Sequence, residues 1–151
     1  MNDSLSPAGL ALTRRFEGLR LTAYQDGHGI WTIGYGHTGA DVTPGRTISE
    51  IEADALLVAD MRNAVACVNR SVTVELTQAQ FDALADFAYN VGCTAFRKSS
   101  LLACVNHKDF AAAADKFLQW TRIAGNVSDG LLRRREAERA LFLEEAPLRP
   151  A

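Results

Sequence analysis

Residues 16–37 read FEGLRLTAYQDGHGIWTIGYGH, and this stretch decides how the rest of the chain is understood. Glu17 is followed by Asp26 and then by Thr32, in the spacing Glu-x8-Asp-x5-Thr. Gly27, Gly29, Gly34 and Gly36 punctuate the stretch, with Tyr24, Trp31 and Tyr35 between them. Just upstream, Ser6-Pro7 is a helix start: a hydroxyl N-cap, then proline at the first helical position. Gly18 is placed to stop that helix. Glu17 therefore falls in the last turn, at the negative end of the helix dipole, which favours the protonated acid. Asp26 precedes Gly27 and reads as a turn residue near water and backbone N–H groups, which favour the carboxylate. Two carboxyls in opposed settings are what glycoside hydrolysis requires. One protonates the leaving oxygen, and the other activates water or stabilises the developing cation.

The chain between the two acids reads as a hairpin. Residues 19–24 alternate as an extended segment, Gly27-His28-Gly29 turns it, and residues 30–35 return, rich in β-formers. Thr32 is expected to face back toward Asp26 across this hairpin, with its hydroxyl holding a water.

The frame FEG…AYxDxxGxxTIGYGHTG, with Glu-x8-Asp-x5-Thr inside it, resembles the catalytic segment of phage-type lysozymes of glycoside hydrolase family 24. These are muramidase endolysins that cleave between N-acetylmuramic acid and N-acetylglucosamine. The resemblance implies Glu17 as general acid, Asp26 as the second carboxylate and Thr32 as the residue that positions water. Tyr24, Tyr35, Gly36 and His37 are expected to support them. The family pattern makes Asp60 the partner of His37, an ion pair that would raise the His37 pKa and be lost as pH rises through it. GLxxRRxxE at 130–138 resembles the family's C-terminal helix, whose arginine approaches the acid; Arg134 is the match. FAYNVG at 87–92 and SSLL at 99–102 resemble the core of its helical lobe.

The fold implied is α+β, predominantly helical and lysozyme-like, in a single catalytic domain. A β-hairpin lobe would occupy about 15–46, a connecting helix about 47–69 and a helical lobe about 70–146, with the active-site cleft between the lobes. At 151 residues, 48% hydrophobic and 23% charged, the chain has the length and composition of one domain with its own core. A net charge of −2 demands no anionic partner, so no nucleic-acid binding is expected. The start, MNDSLSPAG, lacks the features of a secretory signal, and no stretch has the length of a membrane span. The protein is thus expected in the host cytoplasm without stable membrane insertion, as a monomer. The resemblance implies release by a holin to act on peptidoglycan in the periplasm or cell wall. No cofactor or metal is expected, since His28, His37 and His107 are scattered. Cys67, Cys93 and Cys104 are read by default as reduced, buried thiols, with oxidation of one pair after release as the alternative.

Further along, Val42 is a candidate for a short third strand. Thr47 and Glu50 form a capping box opening a helix to about Asn69, with an apolar stripe of Ile51, Ala55, Val58, Met61, Val65 and Val68. Thr77 and Gln80 open the next helix. Its buried stripe is Phe81, Leu84, Ala85, Ala88 and Val91, and Gly92 ends it. Ser99 or Ser100 caps a short helix to Asn106, and residues 108–120 form another. Residues 121–130 read as loop, with Trp120 and Asn126 candidates for lining the cleft. The last helix, 130–143, packs through Leu131, Leu132, Ala137, Ala140 and Leu141. Arg133, Arg134, Arg135 and Arg139 read as a solvated basic cluster mixed with Glu136 and Glu138. Residues 144–151 read as a frayed tail.

Two rival functions share these features. A lytic transglycosylase uses one glutamate and an intramolecular attack by the muramic 6-hydroxyl, so it has no use for a water-holding Asp26 and Thr32. A catalytically silent wall-binding virion component has no use for either acid. A water-holding threonine favours inversion of configuration. The carboxyl separation would be roughly 6.5–9.5 Å for inversion and about 5–5.5 Å for retention.

Overall fold

The computed structural model describes residues 3–145; of the tail expected at 144–151, residues 146–151 lie outside the described residues. Within these bounds the chain forms two compact units. One is Thr13–Arg62, and the other is the rest of the described chain.

The Thr13–Arg62 unit carries the end of helix α1 (Pro7–Glu17), a three-stranded antiparallel sheet and helix α2 (Glu50–Asp60). The sheet order is β1 (Arg20–Gln25), β2 (Trp31–Gly34), β3 (His37–Thr38). The helix start at Ser6-Pro7 is as read: Ser6 Oγ accepts the Gly9 N–H at 3.2 Å. Gly18 ends the helix with φ +71°, a left-handed conformation that glycine adopts without strain. The third strand is His37–Thr38 rather than a segment at Val42, whose side chain instead fills the small core from a turn. That core comprises Ala23, Ile33, Val42, Ile48 and Ala53, with Leu19, Trp31, Tyr35 and Leu56 packed around it.

Two expectations about the second helix are corrected. The N-cap is Ser49 with Glu52, not Thr47 with Glu50. Residues 46–48 are held extended against β1: Ala23 N–H donates to Arg46 O, Ile48 N–H to Leu21 O, both at 2.9 Å, and Thr22 bridges to Thr47. The helix cannot begin until this pairing ends. The expected single helix over 47–69 is also two helices, α2 and α3 (Arg62–Ser71), separated at Met61. The buried face follows the later start. It is Ala53, Leu57, Met61, Ala64, Cys67 and Val68, whereas Ile51 and Val58 are exposed.

The second unit is built around α4 (Gln78–Val91), in which every residue from Ala79 to Ala88 is buried. Its capping box is the one expected, with Thr77 Oγ1 accepting the Gln80 N–H at 3.0 Å and Gln80 Oε1 accepting the Thr77 N–H at 2.9 Å. Around it pack α3, α5 (Cys93–Lys98), α6 (Ser100–Asn106, capped by Ser99), α7 (Phe110–Lys116) and α8 (Asp129–Phe142). Phe87 sits at the centre of an edge-to-face aromatic cluster with Phe96, Phe117 and Trp120. The helix read over 108–120 begins only at Phe110, capped by Asp109, and tightens into a 3₁₀ turn at Phe117–Gln119. The segment read as loop at 121–130 contains a hairpin, β4 (Arg122–Ile123) and β5 (Asn126–Val127). Ala124 and Gly125, both at positive φ, form its two-residue turn.

Cys67 and Cys93 are joined in a disulfide between α3 and the start of α5, not two reduced thiols. Cys104 is free. The arginine cluster of α8 is solvated only in part: Arg133 is exposed and Arg139 half-buried. Arg134 and Arg135 are buried, and Arg134 makes a two-point pair with Asp86, at 3.0 Å through Nε and 2.8 Å through Nη2. Arg135 pairs with buried Glu138, donates to the Trp120 carbonyl and to Asn90, and lies over the Phe87 ring. Guanidinium stems and planes cover apolar surface while the donors are satisfied, which is how α8 buries charge. Of the residues expected to pack, Leu131, Leu132, Ala137 and Leu141 are half-buried and Ala140 is exposed.

Candidate active site

All the expected site residues except Arg134 lie in the Thr13–Arg62 unit. Glu17 is the last residue of α1. The end of that helix is fastened to α2 by Arg14, whose Nη1 lies 3.1 Å from both carboxylate oxygens of Asp54. Arg14 and Arg15 also occupy the last turn, where a positive charge complements the helix dipole. Gly36 approaches the acid closely, and a methyl group on it would stand 3.5 Å from Glu17 Oε2. Its φ of +84° also suits glycine alone.

Asp26 closes the hairpin. Its N–H donates to Ile30 O at 2.9 Å, and its carbonyl accepts the Gly29 N–H at 3.0 Å. Its Oδ1 accepts the Ile30 N–H at 2.9 Å and the His28 N–H at 2.8 Å. These two bonds, the Ile30 bond the stronger influence, hold the Asp26 carboxyl below its ordinary pKa. The carboxylate expected from the Asp-Gly dipeptide is thus built by the turn itself.

Thr32 stands opposite Tyr24 in the β1–β2 register, not opposite Asp26. Its buried hydroxyl donates to the Ile30 carbonyl at 2.9 Å. The proton is thereby committed, and the oxygen lone pairs remain as acceptors. Asp26 and Thr32 are linked through Ile30, which bonds to both. Tyr24 carries the Arg20 guanidinium 4.4 Å above its ring. Tyr35 is half-buried on the small core, and that burial raises its phenol pKa.

His37 has the expected partner and one that was missed. Its Nδ1 lies 2.8 Å from Asp60 Oδ2, and its Nε2 lies 3.0 Å from Asp41 Oδ2. Arg46 Nη1 completes the cluster at 3.0 Å from the same Asp41 oxygen. Burial alone would lower the His37 pKa, but the two carboxylates outweigh it and raise it. Asp41 is held below its usual range by His37 and Arg46. The His37-x3-Asp41 spacing was the available signal for this second partner. Trp120, read as a cleft candidate, packs on Phe87. Asn126 is exposed on its hairpin.

Residues 14–138 match the phage lysozyme family. The chain belongs to that family. It is 47% identical over 142 residues to an endolysin of Bacillus phage B103, covering 93% of this chain and 54% of that protein. It is 43% identical over 143 residues to an endolysin of Salmonella phage P22, covering 92% of this chain and 97% of that one. The muramidase domain of SpmX from Asticaccaulis excentricus superposes with a TM-score of 0.87 at 42% identity, covering 94% of this chain and 99% of that domain. The lysozyme-like α+β fold expected from residues 16–37 is therefore the fold of this phage lysozyme family member. The chain spans about half the length of the Bacillus phage endolysins it matches. Among the described residues no helix is long and apolar enough to cross a membrane.

Proposed function

We propose that this chain is a muramidase of the endolysin type, hydrolysing the β-1,4 bond between N-acetylmuramic acid and N-acetylglucosamine in peptidoglycan. Glu17 is the general acid that protonates the leaving oxygen. Asp26 is the ionised partner, and Thr32 accepts a hydrogen bond from the attacking water. The observation that carries this reading is the Asp26 turn. Two backbone N–H groups on one carboxylate oxygen favour the ionised Asp26, the state this reading needs. A transglycosylase has no need of that charge. Family membership, and the names endolysin and muramidase borne by relatives, support the same substrate class.

The water attacks the face opposite the leaving group, so the anomeric configuration inverts. The supporting role of Arg134 toward the acid rests on the resemblance of residues 130–138 to the family's terminal helix. Synthesis in the host cytoplasm, release through a holin and action as a monomer for host-cell lysis belong to the same proposal. Mass spectrometry of fragments released from purified peptidoglycan by the wild type and by Glu17→Gln tests it. Reducing N-acetylmuramic ends that vanish with the variant are expected. Anhydro ends would establish the transglycosylase and leave Asp26 and Thr32 with structural roles.

A further inference from the structure

A second cluster of chemistry, outside the catalytic segment, is carried by α3, α5 and α6. Arg70, Ser71, Arg97 and Leu102 line a solvent-open cavity of about 420 Å³. Leu102 is buried and forms its apolar part, while the two arginines are exposed. Among the described residues, neither guanidinium has an ion-pair or hydrogen-bond partner. This sets them apart from Arg14, Arg46, Arg134, Arg135 and Arg139, each of which is paired with a carboxylate. Two like charges on residues that line one cavity repel each other, and an anion between them would relieve that repulsion.

The two helices that carry these arginines are joined covalently. Arg70 lies one turn beyond Cys67 on α3, and Arg97 one turn beyond Cys93 on α5. The Cys67–Cys93 disulfide joins those two helices. Spacings of three and four residues put each arginine on the same side of its helix as its cysteine. Ser71, which also lines the cavity, is tied to α6, its carbonyl accepting from Asn106 Nδ2 at 3.0 Å.

We propose that this cavity is a phosphate-binding site, with Arg70 and Arg97 clasping one phosphate group and the disulfide setting their spacing. Phosphate is favoured over carboxylate by stoichiometry. A carboxylate brings one negative charge against two guanidinium groups and leaves one positive charge uncompensated. A phosphate monoester offers three terminal oxygens and close to two negative charges, which matches two guanidinium groups. The group can arrive as free phosphate or as the phosphate of a larger molecule. This site is independent of the catalytic reading and stands whether or not Glu17 is the acid.

The test is a titration of the ¹⁵N-labelled, oxidised protein with inorganic phosphate, at constant ionic strength balanced with sodium chloride, read by NMR at the arginine side-chain and backbone N–H groups. Parallel titrations with glycerol 3-phosphate and with acetate separate the sources. Saturable shifts centred on Arg70, Ser71 and Arg97 are expected for both phosphates, and none for acetate. Binding by inorganic phosphate but not by glycerol 3-phosphate would restrict the site to the free ion. Arg70→Gln and Arg97→Gln should each weaken binding about tenfold, the effect of one charge-assisted hydrogen-bonded contact. Arg62→Gln, which removes a charge elsewhere on α3, should leave it unchanged. The paired variant Cys67→Ser with Cys93→Ser should bind more weakly while its circular dichroism stays that of the wild type. If that variant does not fold, the arginine variants decide alone. Shifts that rise linearly without saturating, equal shifts with acetate, or wild-type binding by both arginine variants would overturn the proposal.

Discussion

Nδ1 of His37 lies 2.8 Å from Asp60 Oδ2, while the opposite ring nitrogen lies 3.0 Å from Asp41 Oδ2. A carboxylate only accepts, so both ring nitrogens must donate, and the arrangement selects the doubly protonated, charged imidazole. The folded-state pKa of His37 is raised, so its contribution to stability is complete below the unfolded value of 6.5 and is lost as pH rises through the folded value. Asp41 has the opposite sign. Its folded pKa is lowered, so its contribution is present above 3.8 and is lost as pH falls through the folded value. The melting temperature of the wild type should therefore fall on the alkaline side of pH 6.5, and that step should vanish in His37→Gln. Thermal melts across pH 5–9, with the His37 ring titrated by NMR, check this. A folded His37 titrating at or below 6.5 would refute it.

Thr32 offers a separation of structural from chemical roles. Its hydroxyl donates to the Ile30 carbonyl at 2.9 Å, and the same residue's N–H holds Asp26. Thr32→Val keeps the shape but loses this bond, costing about 1 kcal/mol of stability. If the lone pairs of Thr32 accept from the attacking water, kcat should fall on the order of a hundredfold, well beyond what that destabilisation explains. Thr32→Ser keeps the hydroxyl and should retain most of the activity. The check is the rate of reducing-end release from peptidoglycan at a temperature where both variants are folded. Equal activity in Thr32→Val and Thr32→Ser would leave Thr32 a strand residue only.

Gly9 shows a case where the usual rule reverses. Replacing a glycine inside a helix by alanine ordinarily stabilises by about 0.5–1 kcal/mol. Here a methyl would meet Asp82 Cγ at 2.6 Å. Asp82 cannot retreat freely, because its buried carboxylate accepts from the Ser6 N–H at 3.0 Å and from Gln78 Nε2 at 2.8 Å, and also bonds the Ser6 hydroxyl. Overpacking of this kind costs about 1–3 kcal/mol, so the clash wins. Gly9→Ala should lower the urea midpoint, measured by circular dichroism. A midpoint at or above that of the wild type would show that Asp82 moves aside cheaply.

What the sequence disclosed and what it hid follow from the range of the interactions. The hairpin, the Asp26 turn, the Gly18 stop and the Thr77–Gln80 cap are local, and each is written in a few neighbouring residues. The start of α2 was misread because two capping boxes overlap, at Thr47–Glu50 and Ser49–Glu52. The choice between them is made by a distant strand, β1, which holds residues 46–48 extended. The buried face of α8 was misread because charge is normally solvated. Partners from distant segments, among them Asp86 and Asn90 of α4, show that Arg134 and Arg135 belong inside. No glycine or proline marks the break at Met61, so a sequence period running through it looked continuous.

The Cys67–Cys93 disulfide was hidden for the same reason, since its two halves come from different helices. It closes a loop of sequence separation 26, enclosing all of α4. Restricting the unfolded chain over a loop of this length is worth about 3–4 kcal/mol. That is a large share of the roughly 5–15 kcal/mol that stabilises a domain. Reduction should therefore lower the urea midpoint markedly in the wild type. It should do nothing in the paired variant Cys67→Ser with Cys93→Ser, which should resemble the reduced wild type. Cys104→Ser should leave the response to reductant intact, because that thiol is free. Urea melts with and without a thiol reductant, alongside mass spectrometry of the alkylated protein, make the comparison. Alkylation of all three cysteines in the non-reduced native protein, or a midpoint indifferent to reductant, would remove the bond from any account of this fold's stability.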